Sequence, residues 1–122
     1  MSGWKRRGTD DRAPIIGLLT IELHFPHSRS LKQKRMVIKA IKDRLRGRFN
    51  VAVAETGYQD LWQRSVLSAV SVSSDRQGFE GVLEAMARHL ESHHSSELVD
   101  VRIELIDSFF GPGRGLDREE LL

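Results

Sequence analysis

The sequence predicts an α+β domain in which two helices cover one face of a four-stranded antiparallel sheet. Four segments alternate apolar and polar residues with a period of two, which is typical of half-buried strands. Two longer segments carry apolar residues at helical spacing. The order along the chain is β-α-β-β-α-β, which is the split βαβ, or ferredoxin-like, arrangement. Right-handed crossovers then place both helices on the same face of the sheet.

The first strand and the first helix have clear limits in the sequence. Residues 15–25 carry apolar residues or Gly at odd positions, and Pro26 ends the strand. Ser30 is the predicted N-cap of the helix, because Gln33 completes a capping box with it. Gly47 is the predicted C-terminal stop, since glycine commonly ends helices.

The second half of the chain repeats this pattern. A second strand is predicted over residues 49–54, and a polar loop leads to a third strand over residues 64–73. Ser74 and Gln77 have capping-box spacing and begin the second helix, and a fourth strand covers residues 99–105. We expect the odd residues of the first strand to face the helices. The open face of the sheet would then present Thr20, Glu22, His24, Ala52, Ala54, Arg102 and Glu104.

Length and composition favour one domain. The chain of 122 residues predicts a single domain over residues 14–107, between a disordered N-terminal tail (1–13) and a flexible C-terminal tail (108–122). The absence of cysteine excludes disulfides, cysteine-ligated zinc and thiol catalysis. The longest apolar run, residues 15–19, is too short to cross a bilayer, and the N-terminus does not resemble a secretory signal. We therefore expect a cytoplasmic protein with no membrane partner.

Positive charge is concentrated on the predicted first helix. Residues 29–48 contain nine Lys or Arg and one acidic residue, a net +8, whereas the remaining ten Lys or Arg and sixteen Asp or Glu give −6. Spacings of three and four align five of these cations along one flank, which we call the basic stripe: Lys32, Arg35, Lys39, Lys42 and Arg46. Like charges repel at this spacing, so the stripe predicts an anionic partner, most simply a phosphate backbone. The alternative is a solvated helix face whose cations pair with acidic neighbours elsewhere on the protein. Arg29, just before the helix, would add to such a site.

The loop between the second and third strands is the second candidate site. Tyr58 and Trp62 would stack on unpaired bases if the partner is a nucleic acid. Glu55 and Asp60 would share a divalent cation or act as an acid–base pair if the loop carries chemistry, with Gln63 beside them. The alternative is a hairpin whose carboxylates satisfy backbone amides or pair with Arg64 and the basic helix, and whose aromatic residues border the core.

Two other features are expected to be structural. Lys34 falls within the apolar stripe of the first helix, and we expect its ammonium group to extend to solvent. His89 and His93 are four residues apart on the second helix, a spacing that metal ligands also use, and His94 follows them. We expect these histidines to lie at a solvated helix end and no metal or other cofactor to be bound.

The sequence also resembles a known family. The segments G-L-L-T-I-E-L-H-F-P, S-L-K-Q-K-R, R-L-R-G-R-F-N-V-A-V-A-E and Q-D-L-W-Q-R resemble the YlxP-like proteins, small bacterial proteins grouped as domain of unknown function 503. The resemblance covers roughly residues 15–106 and implies a ferredoxin-like fold. Members are commonly encoded beside genes for translation initiation and ribosome maturation, which implies a role near rRNA or the small ribosomal subunit. The matching positions are Ser30, Leu31, Lys32, Lys34, Arg35, Phe49, Asn50, Glu55, Asp60, Trp62 and Gln63.

Three functional hypotheses follow from the sequence. The first is a non-enzymatic protein that binds RNA, such as rRNA, or the small ribosomal subunit through the basic stripe. The second is a homo-oligomeric interaction module, such as a homodimer, that self-associates through its open sheet face or a strand edge and docks an acidic protein through the basic stripe. The third is a metal-dependent hydrolase of phosphate esters that uses Glu55 and Asp60.

Overall fold

The computed structural model describes residues 14–106, and the elements follow the predicted order. The first strand and helix are β1 (Ile15–His24) and α1 (Leu31–Arg48), and the hairpin that follows is formed by β2 (Ala52–Gly57) and β3 (Arg64–Ser73). The second helix is α2 (Arg76–His93), and the last strand is β4 (Leu98–Ile106). The predicted tails, residues 1–13 and 108–122, lie outside the described residues.

The four strands form one antiparallel sheet in the order β2-β3-β1-β4. The central strand β1 pairs with β3 on one side and with β4 on the other, and β2 pairs with β3. Strands β2 and β4 therefore form the two edges of the sheet. Helix α1 contacts β2, and α2 contacts β1 and β4. This arrangement confirms the predicted ferredoxin-like α+β fold.

The core lies between the sheet and the two helices. Leu19, Ile21 and Leu23 of β1 are fully buried, as their odd positions predict. Gly17 lies where α2 approaches the sheet most closely, since a Cβ atom there would lie 2.6 Å from a methyl carbon of Leu83. The remaining buried apolar residues come from all the other elements except β2 and β4: Phe25, Ile38, Ile41, Leu45, Leu67, Ala69, Phe79, Leu83, Met86 and Leu90.

The predicted N-cap of α1 at Ser30 is confirmed, whereas the predicted end of the helix at Gly47 is wrong. The hydroxyl of Ser30 accepts a hydrogen bond from the backbone N–H of Gln33 at 3.1 Å, and the Gln33 side chain in turn accepts from the N–H of Arg29 at 2.6 Å. The helix continues past Gly47, because the N–H of Phe49 still reaches the carbonyl of Leu45 at 2.9 Å. An exposed glycine costs only about 1 kcal/mol inside a helix, which these contacts outweigh.

Two further boundaries differ from the sequence prediction. Asp75, not Ser74, caps α2, and its carboxylate accepts from the N–H of Gln77 at 3.1 Å. The second strand is shifted towards the C-terminus, because pairing with β3 begins at Ala52. Phe49 and Val51 pack against the core without joining the ladder, so their alternation reflects burial and not strand pairing. The third strand has the predicted limits.

Neither helix within residues 14–106 is long and apolar enough to cross a membrane.

Candidate nucleic-acid interface

The basic stripe is on the surface of α1, as its spacing predicts. Lys32, Arg35, Lys39 and Arg46 are exposed, and Lys42 is half-buried. Asp43 pairs with two of them: its carboxylate lies 2.8 Å from the Lys39 ammonium and 3.5 Å from the Arg46 guanidinium. Within residues 14–106, the other three stripe residues form no ion pair, which leaves their charge available to a partner.

The Asp43 carboxylate is held in its charged form by the stripe. The hydrogen bond from Lys39 lowers the pKa of Asp43 below its ordinary value, and the charges of Lys39, Arg46 and Lys42 lower it further. Asp43 therefore reduces the positive charge in the middle and C-terminal half of the stripe. The N-terminal half, at Lys32 and Arg35, keeps its full charge.

The stripe lies on the flank of α1 that faces away from α2. Arg44 and Arg48 lie on the flank towards α2, since their charges act on the buried His89 and His94 at the end of that helix. The stripe is offset from Arg44 by roughly half a turn of helix. Because α1 packs over β2, the stripe runs beside the β2 edge of the sheet.

Lys34 does not extend to solvent, so that expectation is wrong. Its side chain is completely buried, and its ammonium lies 2.8 Å from the carbonyl oxygen of Tyr58, 3.1 Å from that of Arg64 and 3.3 Å from that of Gln59. A carboxylate oxygen of Glu55 lies 3.0 Å from the same ammonium. These four oxygens replace the water that the charge would otherwise require. We call this arrangement the Lys34 clasp, because it joins α1 to the hairpin tip, residues 58–63.

The clasp also accounts for Glu55 of the sequence-predicted loop site. The Glu55 oxygen that faces Lys34 also accepts a hydrogen bond from the buried hydroxyl of Ser65 at 2.7 Å. Asp60, by contrast, is exposed at the hairpin tip. Across residues 14–106, no three His, Cys, Asp or Glu side chains are grouped as metal ligands would be. Glu55 thus helps to hold the hairpin in position against α1. Among the described residues, no contact between Glu55 and Asp60 or with a further metal-ligating side chain supports the hydrolase hypothesis.

Tyr58 is held in place by two contacts. Its backbone has a φ of 56°, a left-handed conformation that is uncommon for residues other than glycine, and this directs its carbonyl at Lys34. The guanidinium of Arg64 lies over its ring, 4.1 Å from the ring centre, and also binds the Glu22 carboxylate at 3.1 Å. One face of the Tyr58 ring is therefore already covered.

Trp62 differs from Tyr58, because 53% of its surface is exposed. The next residue, Gln63, ties the hairpin tip to the loop between β1 and α1: its side-chain amide donates to the carbonyls of Pro26 and Ser28, at 3.3 Å each. Its own carbonyl accepts from the N–H of Phe25 at 2.9 Å. Arg29 and Trp62 line one cavity of about 420 Å³. The structure thus brings the hairpin tip and the start of α1 into one surface.

The expectation that the histidines lie at a solvated helix end is wrong for His89 and for His94, the residue after α2, whereas His93 is exposed. His89 and His94 are buried, and burial lowers the pKa of both below the ordinary value, with smaller contributions from nearby positive charges. The ring of His89 stacks on His93 with 4.4 Å between centres and meets Phe49 edge-on at 5.9 Å. Within residues 14–106, neither ring nitrogen of His89 has a hydrogen-bond partner, and the Nε2 of His94 has none.

Comparison with known proteins settles the family. The model of the family described as protein of unknown function (DUF503) matches residues 16–103. The chain belongs to the DUF503 family. Within it, the uncharacterised protein YlxP of Bacillus subtilis (strain 168) is 37% identical over 90 residues, which cover 74% of this chain and 98% of that protein. A solved structure, the de novo designed protein Foldit4, matches with a TM-score of 0.48 and 15% identity over 76% of this chain and 96% of that chain.

Sequence reasoning missed two residues that organise this DUF503 surface. We expect the Lys34 ammonium to reach solvent, but a lysine within an apolar stripe also indicates a buried charge with hydrogen-bond or ion-pair partners. Arg64 is the first residue of β3, and its sequence position indicates only a partner for nearby carboxylates. In the structure its guanidinium binds the Glu22 carboxylate on the neighbouring strand β1 and lies over the ring of Tyr58. The sequence alone does not show the contact with Glu22, because it depends on the register between β1 and β3.

Proposed function

We propose that this DUF503 protein binds RNA without catalysing a reaction on it, and that the phosphate backbone of a structured RNA such as rRNA lies along the basic stripe. The observation that supports this most strongly is the row of exposed cations on one flank of α1, three of which have no ion pair within residues 14–106. Each phosphate that such a cation neutralises releases counterions, which favours binding at low salt.

The position of the stripe also favours a long, charged partner. The helix extends for 18 residues, or about 27 Å at 1.5 Å per residue, beside an edge of the sheet. An extended flank of one charge sign is typical of proteins that follow a nucleic-acid backbone. A partner at or near the small ribosomal subunit agrees with the genomic neighbourhood that the family resemblance implies.

The test compares two double variants with the same change in charge. Lys32→Glu with Arg35→Glu reverses two stripe residues, and Arg44→Glu with Arg48→Glu reverses two residues on the flank towards α2. We expect the stripe variant to bind a 16S rRNA fragment more weakly and to lower the slope of log affinity against log salt by about two units, at about 0.9 per phosphate. We expect the control to change the affinity much less.

Either of two results would contradict the proposal. One is an equal loss in both variants, which would show that only net charge matters. The other is no RNA binding by the unaltered protein at low salt. Circular dichroism spectra and melting temperatures of both variants, which change exposed positions, would establish that the fold is intact.

A second candidate function, self-association through the open sheet face, has one supporting observation. Val70 and Val72 of β3 are 39% and 55% exposed, and they pair with Leu18 and Ile16 on the same face. Contiguous exposed apolar surface is typical of interaction sites. Light scattering of the unaltered protein and of Val72→Glu would test it: a dimer that becomes a monomer supports this candidate, and a monomer in both cases removes it.

A further inference from the structure

Trp62 combines an exposed ring with a fixed backbone. Its neighbour Gln63 makes three hydrogen bonds to the loop between β1 and α1, and the N–H of Leu61 donates to the carbonyl of Tyr58 at 3.1 Å. The Lys34 clasp holds the hairpin tip on both sides, through the carbonyl of Tyr58, its first residue, and the carbonyl of Arg64, the residue that follows it. A ring presented from such a backbone loses little conformational freedom when a flat ligand stacks on it.

Trp62 and Gln63 line two concave surfaces. One, of about 420 Å³, is lined by Pro26, His27, Ser28, Arg29, Trp62 and Gln63. The other, of about 530 Å³, is lined by His24, Asp60, Leu61, Trp62, Gln63 and Arg64. We call the two together the Trp62 groove.

The two sides of the Trp62 groove differ in chemistry. On the first side, Arg29 supplies a guanidinium that suits a phosphate. On the second side, the exposed carboxylate of Asp60 accepts hydrogen bonds of the kind that exocyclic amino groups of nucleobases donate. An aromatic ring that lines a surface with a phosphate-binding cation and another with a hydrogen-bond acceptor is complementary to a nucleotide whose base is not stacked in a helix.

The Trp62 groove also continues the basic stripe. Arg29 immediately precedes α1, and the first stripe residue is Lys32 on the first turn of that helix. A backbone that follows the stripe towards the start of α1 therefore arrives at the groove. Tyr58 does not share this role, because the Arg64 guanidinium covers one face of its ring.

We propose that the Trp62 groove binds an unpaired nucleotide of RNA, with the base stacked on Trp62, a phosphate at Arg29 and a base amino group at Asp60. This inference rests on the proposed function, since the stripe supplies most of the affinity, and it adds a preference for RNA with a single-stranded segment. Duplex RNA would contact the stripe alone.

The first experiment measures stacking directly. The sequence contains two tryptophans, Trp4 and Trp62, so Trp4→Phe leaves Trp62 as the single tryptophan, which excitation at a wavelength that tyrosine does not absorb observes selectively. We expect a single-stranded adenosine oligonucleotide to quench this fluorescence in a saturable way, and a duplex of equal length to quench it much less. Saturable binding without quenching would overturn the inference.

The second experiment compares affinities by the anisotropy of labelled RNA. We expect Trp62→Ala to weaken binding of the single strand on the order of tenfold and to leave duplex binding unchanged. Trp62→Phe should retain most of the affinity because it keeps a stacking surface. Val99→Ala removes an exposed apolar side chain on β4, outside the groove, and serves as the control.

The outcomes separate this inference from the proposed function. If the stripe variant loses RNA binding and Trp62→Ala loses none, the proposed function stands and the nucleotide site is overturned. The site is equally overturned if Trp62→Ala weakens single-stranded and duplex RNA to the same extent. If the unaltered protein binds neither RNA, both proposals are overturned.

Discussion

The two helices bury ionisable side chains in opposite ways. On α1, the ammonium of Lys34 is surrounded by three backbone carbonyls and the Glu55 carboxylate. On α2, His89 is also buried, but its ring nitrogens have no hydrogen-bond partner in the part of the chain that the structure describes. Both residues occupy the apolar face of an amphipathic helix, so the sequence pattern places them alike.

The difference shows what each side chain requires when it leaves water. Lysine keeps its charge in a buried position when acceptors replace its hydration, and the clasp supplies them. Histidine can instead release its proton at neutral pH, and burial lowers the pKa of His89 accordingly. The Lys34 contacts therefore hold α1 and the β2–β3 hairpin together. The buried histidines contribute mainly apolar packing, and their ring nitrogens without hydrogen-bond partners lower the free energy of unfolding.

The largest expected effect comes from removing the Lys34 ammonium. Lys34→Met keeps the length of the side chain but leaves Glu55 and three carbonyls without their partner. We expect the free energy of unfolding to fall by about 3 kcal/mol, measured by urea denaturation. Lys32→Met, an exposed position on the same helix, is the control and should change it by less than about 0.5 kcal/mol. Equal effects would mean that the clasp contributes nothing to stability.

A smaller effect of opposite sign is expected at His89. His89→Leu removes two buried ring nitrogens that lack partners and replaces them with an apolar side chain. We expect the free energy of unfolding at pH 7.5 to rise by about 1 kcal/mol, since a buried polar group without partners is costly. His93→Leu at an exposed neighbouring position is the control. A loss of stability at His89 would show that its nitrogens are satisfied in solution.

The pH dependence of stability should distinguish the two helices further. The pKa values of His89 and His94 are lowered in the folded state, so the unfolded chain takes up protons first as the pH falls below about 6.5. The free energy of unfolding therefore decreases as the pH falls, until the pH is below the pKa values of the folded state. We expect melting temperatures to fall between pH 7 and pH 5, and to fall less in a variant with both His89→Leu and His94→Leu. The same slope in both proteins would assign the effect to other groups.

The smallest effect on stability is expected at Asp43. Asp43→Asn removes an exposed ion pair with Lys39 and should leave the melting temperature almost unchanged. The same change frees Lys39 and Arg46, so RNA should bind more tightly, with the salt slope steeper by about one unit. Unchanged RNA affinity would show that the C-terminal half of the stripe does not contact the backbone.

The features that the sequence predicted correctly depend on local or periodic interactions. The alternation in β1 predicted its buried face, and the Ser30 cap was recognisable from the spacing to Gln33. The limits of β2 were not predictable, because Phe49 and Val51 alternate for packing while pairing begins at Ala52. Ladder pairing depends on the partner strand, which a local pattern does not contain.

The candidate site was predicted in part for the same reason. The exposure of the stripe follows from helix geometry alone, and the structure places it as expected. The roles of Lys34, Glu55 and Tyr58 depend on contacts between α1 and the hairpin. The residues that make these contacts lie more than twenty positions apart in the chain. Such contacts become visible only when the fold has been built.

The chemistry of the Lys34 clasp also bears on how freely the hairpin tip can be redesigned. Three of its four acceptors are main-chain carbonyls, which every amino acid provides. Substitutions at Gln59, Asp60 and Leu61 therefore leave the anchor intact, while position 58, with its left-handed backbone, best accepts glycine or asparagine. New recognition sequences can therefore be introduced at positions 59–61 with the main-chain contacts to Lys34 kept, whereas Gln63, whose side chain binds the loop between β1 and α1, has to be retained.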